Sequence, residues 1–126
     1  YNIHKIDRSK SFKEALKNSR LAIHTDNSTS LLETMSSNYP CLIFWDAKYY
    51  ELTAEAKPYY NNLINVGLLH HEPESLASKL NEVYHDIEKW WFSPLVQSAR
   101  NEFSNKFCLT SSDYIKDWKS FFLKDV

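Results

Sequence analysis

Two short apolar runs, Leu21-Ala22-Ile23-His24 and Cys41-Leu42-Ile43-Phe44-Trp45, flank a segment with helical patterning, and this arrangement leaves the chain few ways to fold. The first run ends in a polar turn, Thr25-Asp26-Asn27-Ser28-Thr29. A helix expected over 29–37 stops at the break Asn38-Tyr39-Pro40, and the second run follows at once. Strand, turn, helix and strand in this order make one βαβ unit with parallel strands. The handedness of such crossovers removes most alternative topologies. Ligands of parallel α/β units meet the loop after the first strand and the start of the next helix, where unpaired backbone N–H groups and the helix dipole converge. Here that region holds His24, Asn27, Ser28, Thr29, Ser30 and, about one turn into the helix, Glu33.

The alternation continues along the chain. Tyr1 to Ile6 reads as a strand, and Ser11 to Ser19 as a helix opened by a capping box of Ser11 and Glu14. Ala47 to Val66 holds a loop and a helix, with Pro58 in its first turn or at a kink and Gly67 as its C-terminal cap. Leu68-Leu69-His70 is a further strand, and Pro73 starts one helix running to Trp91, whose Leu76, Leu80, Val83 and Ile87 share a face. Helices over about 94–107 and 112–123 complete the chain. The fold expected is α/β: a Rossmann-like parallel sheet of about four strands, near 2–6, 21–24, 41–45 and 68–70, with helices on both faces and a helical C-terminus. A chain of 126 residues, 43% hydrophobic and 15% aromatic, builds one such domain, with a βα core over 1–92 and the C-terminal helices over 93–126. Because it opens inside a strand-like segment, it reads as a piece of a longer protein.

Charge and composition narrow the function. Fifteen basic against sixteen acidic residues provide no field that would recruit nucleic acid or a membrane surface. No apolar run reaches the roughly 18 residues of a transmembrane segment, and no signal-peptide pattern opens the chain. Cys41 and Cys108 lie far apart without metal-ligand spacing and read as reduced thiols, which places the protein in the cytoplasm or peripheral to the inner membrane. His70-His71-Glu72 does not suggest a metal site, since adjacent residues on a strand point to opposite faces; no metal and no cofactor are expected. With Gly67 the single glycine, a glycine-rich phosphate loop is excluded. Asn27, Ser28 and Thr29 must then make any phosphate contact, or else they cap an ordinary helix. His24 is read equally as a general base, a phosphate partner or a core-edge histidine. Asp46, Tyr49, Tyr50 and Glu51 follow a strand at its carboxyl end, where they would either touch a base or sugar or pack. Trp45, Trp90, Trp91 and Trp118 read as packing aromatics.

A resemblance sharpens this picture. Leu32-Glu33-Thr34-Met35-Ser36-Ser37-Asn38-Tyr39-Pro40 resembles the L-E-A-M-A-x-G-x-P signature in the C-terminal, donor-binding domain of GT-B glycosyltransferases, with Asn38 at the glycine position. Asn65-Val66-Gly67-Leu68-Leu69 is similar to their N-G-L-L-V strand, and Glu72-Pro73-Glu74-Ser75-Leu76-Ala77 to the D-P-E-A-L-A helix start that follows. From about Ser11 onward, the texture of Phe44-Trp45-Asp46, Tyr49-Tyr50-Glu51-Leu52, Ala56-Lys57-Pro58-Tyr59, Trp90-Trp91, Pro94, Gln97 and Arg100 resembles a family assigned as transferases of bacterial surface-carbohydrate loci. The resemblance implies the C-terminal half of a GT-B fold and a nucleotide-linked donor, a nucleotide sugar. It gives Glu33 the ribose hydroxyls and the stretch Asn27, Ser28, Thr29 and Ser30 the donor phosphates. The second glutamate of retaining members, eight positions earlier, is replaced by Thr25. It also implies an N-terminal domain of the same chain as partner, without which this segment would bind but not turn over. The terminal helix of such proteins crosses back to that domain. Part of the stripes Val96, Ala99, Phe103, Phe107 and Trp118, Phe121, Phe122 is therefore expected to be exposed. The alternatives are a noncatalytic α/β interaction module, or the same fold acting as a nucleotide-sugar epimerase or polyol-phosphate transferase.

Overall fold

The computed structural model describes residues 9–108 and 112–123, except the side chains of Trp118 and Phe122. Within them, β1 (Ala22–His24), β2 (Cys41–Phe44) and β3 (Leu69–His70) form a parallel sheet in the order β1-β2-β3. Ala22 stands opposite Cys41, and Ile43 opposite both His24 and Leu69. The fourth strand expected near 2–6 lies outside the described residues.

Seven helices are seen among those residues. The first, α1 (Phe12–Lys17), opens with the expected capping box, in which the Glu14 carboxylate accepts from Ser11 N at 2.8 Å. The next two, α2 (Thr29–Ser36) and α3 (Lys57–Asn65), end by one device. Asn38 takes φ 54°, its N–H reaches Met35 O at 3.2 Å, and Tyr39 N–H reaches Thr34 O at 3.1 Å. Gly67 takes φ 71°, with matching bonds from Gly67 N to Ile64 O at 3.0 Å and from Leu68 N to Leu63 O at 2.8 Å. These are Schellman caps, which need a left-handed residue just past the helix. Each turns the chain directly into a strand.

The central strand carries the core. Cys41, Leu42 and Ile43 are all fully buried. Alternation points Cys41 and Ile43 to one face, where they join Leu31 and Met35 of α2 and Leu63 of α3. Two right-handed crossovers running in one direction place α2 and α3 on that same face. Leu42 points the other way, and α4 (Pro73–Val83) packs on β2 and β3.

The helix expected over 73–91 is two helices. It stops at Val83, and α5 (Ile87–Trp91) starts after Asp86, whose φ of −145° and ψ of 66° are not helical and whose carboxylate caps Lys89 N at 3.2 Å. Burial periodicity survives the break, since Val83 and Ile87 are both buried. An aspartate that can cap a new helix competes locally with helix continuation, and here it wins.

The break aims Trp91 at the end of α2, and α6 (Pro94–Phe107) then lies across α2 and α3. Trp91 Nε1 donates to Asn38 Oδ1 at 2.9 Å, and Gln97 Nε2 to the same oxygen at 3.1 Å. Arg100 Nη1 and Ser104 Oγ both donate to Met35 O, at 2.6 and 3.3 Å. A guanidinium at the carbonyl end of α2 also complements its dipole. The stripe Val96, Ala99 and Phe103 is buried and Phe107 half-buried, whereas α7 (Tyr114–Leu123) exposes Tyr114, Ile115, Phe121 and Leu123. No helix among the described residues is long and apolar enough to cross a membrane.

Candidate functional site

At the start of α2 the capping residue does not cap. The Ser28 side chain takes no backbone amide of the helix; its hydroxyl is 2.9 Å from that of Ser30. The Ser28 carbonyl is taken by Leu31 N at 3.1 Å and Leu32 N at 3.4 Å, but the amides of Thr29 and Ser30 meet no acceptor among the described residues. Two unpaired donors at the positive end of a helix dipole make an environment suited to an oxyanion. Asn27, next to them, is fastened to α3: its Oδ1 accepts from the Tyr60 hydroxyl at 2.9 Å. Burial pushes the Tyr60 phenol up, so it stays a donor at neutral pH. Glu33 projects from the exposed side of α2, and its carboxylate has no hydrogen-bond partner among the described residues.

His24 lies behind this turn rather than in front of it. It is 6% exposed, packs near the Phe12 ring, and sets Nε2 3.0 Å from Thr34 Oγ1. Thr34 spends its proton on Ser30 O at 2.8 Å, so it accepts from an Nε2–H of the imidazole. His24 thus ties β1 to α2, and burial lowers its pKa against a partial opposing pull from Asp26. His70 is held similarly: Nε2 donates to Gly67 O at 3.0 Å, Nδ1 accepts from Ser75 Oγ at 2.7 Å, and burial lowers its pKa. Both histidines fold as neutral rings with values below the ordinary 6.5. On acidification the unfolded chain therefore binds protons first. Stability should be full above about pH 6.5 and fall below it, by no more than about 1.4 kcal/mol per pH unit for each ring. Urea midpoints between pH 7.5 and 5 check this, and a His24→Gln variant, which keeps a donor for Thr34, should show a shallower fall. Equal slopes would remove His24 from the account.

The carboxyl edge of the sheet is concave. A cavity of about 350 Å³ is bordered by Asn27, Leu32, Tyr60 and Phe107. A second, of about 470 Å³, is bordered by Trp45, Tyr50, Lys57, Asn61 and His71. Glu51, Leu52 and Tyr60 wall both, so the two adjoin along the edge. A larger cavity, about 640 Å³, lies among Lys17, Arg20, Tyr39 and Asp86, near the amino ends of the strands, away from the helix start.

Asp46 is committed locally. It caps the 3₁₀ turn Ala47–Tyr49 through Lys48 N at 3.0 Å and pairs with Lys48 Nζ at 3.1 Å, and the backbone bond holds its carboxyl below the usual range. Tyr50 packs on Trp45 with ring centroids 5.2 Å apart, whereas Tyr49 is largely exposed. Trp45 and Trp91 are buried; Trp90 is half-buried, and its indole N–H has no partner among the described residues. No group of His, Cys, Asp or Glu among the described residues is placed to hold a metal ion.

The structure therefore brings Asn27, Ser28, Thr29 and Ser30 into one turn, puts Glu33 beside them on the outer face, and turns His24 inward. A family model for the LIC12162 family transferase matches residues 1–122. The chain belongs to the LIC12162 family of transferases. No curated protein and no solved structure matches it. His71, which the sequence suggests only as an improbable metal ligand, stands at the edge of this LIC12162-family fold: it lies one position past β3, and its Nδ1 donates to Trp45 O at 2.8 Å. Its position just beyond the carboxyl end of a parallel strand was a signal available in the sequence.

Proposed function

We propose that this transferase chain binds a nucleotide-linked donor, a nucleotide sugar, at the amino end of α2. The diphosphate oxygens accept from the amides of Thr29 and Ser30 and from the hydroxyls of Ser28, Thr29 and Ser30, with Asn27 at the rim. Glu33 accepts from the two ribose hydroxyls, which a carboxylate can do at once. The observation that carries this reading is the unpaired first turn of α2, at the carboxyl edge of a parallel sheet, with an uncommitted carboxylate alongside. The likeness of 32–40 to the GT-B donor motif supports it, as does transferase family membership. In this reading the chain is the donor-binding half of a GT-B-type enzyme of surface-carbohydrate synthesis, and turnover needs an N-terminal domain of the same protein.

Calorimetric titration of the intact protein with uridine, cytidine and guanosine diphosphate sugars tests it. Glu33→Ala should weaken the donor that binds by ten- to a hundredfold, on the order of 1.5–3 kcal/mol for a lost charge-assisted bond, without unfolding the exposed helix face. Equal binding by the variant would overturn the ribose assignment. If no donor binds, a noncatalytic module, docking through the exposed face of α7 at Tyr114, Ile115 and Phe121, becomes the better account.

A further inference from the structure

Of the histidines along the sheet's carboxyl edge, His24 and His70 have both ring positions set by internal packing or hydrogen bonds, and His71 does not. Its Nδ1 faces the Trp45 carbonyl at 2.8 Å, and a carbonyl only accepts, so Nδ1 carries the proton of the neutral ring. Nε2 is left as a free lone pair, with no hydrogen-bond partner among the described residues. This is the arrangement by which a backbone carbonyl orients a basic imidazole. The ring borders the cavity of about 470 Å³ described above, and it also borders a neighbouring one near Ser75 and Lys79. The first cavity is lined also by Tyr50, which packs on the buried Trp45, together with Lys57, Asn61 and Glu51. An aromatic ring beside amide, ammonium and carboxylate groups suits a polyhydroxylated ligand, whose C–H face packs while its hydroxyls are bonded. Glu51, Leu52 and Tyr60 line both this space and the cavity beside Asn27, so it adjoins the region at the start of α2 where the donor is placed.

Resting on the donor reading above, we propose that this second cavity receives the hydroxyl-bearing acceptor, a sugar or polyol, and that His71 Nε2 is the general base for its transfer. The acceptor oxygen forms a bond to the transferred group while that group's bond to the donor phosphate oxygen breaks. The acceptor proton passes to Nε2, and the nucleotide leaves with the bonding electron pair. The charged and titratable groups facing the imidazole are Asp46, Lys48 and Glu51 from the loop after β2, Lys57 from α3, His70 from β3, and Glu72 and Lys79 around the start of α4. Of these, Asp46 and Lys48 neutralise each other in their own ion pair.

The test uses the intact protein with the diphosphate sugar that binds in calorimetry, following nucleotide release against glycerol, ribitol and simple hexoses. His71→Asn retains an N–H for the Trp45 carbonyl but has no base. It should lower kcat by about a hundredfold or more and leave the donor Kd within twofold. His71→Ala should regain rate with added imidazole, which a structural role would not allow. Long-range ¹⁵N correlation spectra of the wild-type ring should show the Nδ1–H tautomer. Wild-type rates in His71→Asn with the donor bound, or the opposite tautomer, would overturn the assignment, whereas failure of donor binding in the wild type would overturn the donor reading instead.

Discussion

Trp91→Ala is expected to lower the stability of the domain by about 3–5 kcal/mol, the cost of deleting a large aromatic side chain from a closed core. Trp91 is fully buried within the cluster that includes Met35, Val96 and Phe103. Its indole N–H donates to both Asn38 Oδ1 and Asn38 O, at 2.9 and 3.1 Å. Against a typical total of 5–15 kcal/mol, the loss is a large fraction of what holds the fold. Urea unfolding followed by far-ultraviolet circular dichroism measures it. Trp91→Phe keeps most of the buried ring and loses the N–H, so its cost should be nearer about 1–2 kcal/mol. A loss below 1 kcal/mol for Trp91→Ala would mean that α5 is not anchored to the end of α2 as described.

Asn38→Ala should cost about 2–4 kcal/mol, from two sources that a second variant separates. Alanine at φ 54° is strained by about 1 kcal/mol, because its Cβ crowds the following carbonyl. Losing Oδ1 removes one acceptor from each of Trp91 Nε1 and Gln97 Nε2, at about 0.5–1.5 kcal/mol apiece. Both donors keep a second partner, Asn38 O and Trp91 O respectively, so neither is orphaned. Asn38→Gly restores the left-handed conformation and should recover about 1 kcal/mol of the loss. If Asn38→Gly is as damaged as Asn38→Ala, the backbone term is absent and the side-chain bonds account for everything. Because Asn38 and Trp91 share a contact, the effects of their substitutions should not add.

Much of the architecture was legible because it rests on local signals. The capping box at Ser11, the Schellman position at Gly67 and the apolar runs around 22–24, 41–44 and 69–70 each state their geometry within a few residues. The long helix expected from Pro73 to Trp91 shows the limit of such reading. The apolar spacing across Val83 and Ile87 correctly marks the buried positions, and a helix interrupted at Asp86 presents the same residues to the core. Periodicity reports which side chains are buried, not whether the backbone between them is continuous. Of the two apolar stripes, that on α6 is covered by α2 and α3 of the same domain, and the exposure expected of part of this surface falls on α7 at Phe121.

For the site, the sequence alone determined which residue types gather after β1: a polar turn without glycine and a carboxylate one turn later. It could do so because a strand end and the next helix start are neighbours in the chain. The match over 1–122 that places the chain in the LIC12162 family of transferases is likewise a property of the sequence. Only the tertiary structure decided what those residues face. His24 turns away from the crevice because Thr34 offers it a hydroxyl from the buried face of α2, and Ser28 leaves the first amides of the helix unpaired because its hydroxyl is turned to Ser30. His71 meets the Trp45 carbonyl 26 positions away in sequence only once β2 and β3 are parallel and in register. Hydrogen bonds of that span depend on sheet registration and on which faces the crossovers cover, and neither quantity is written in any single segment of the chain.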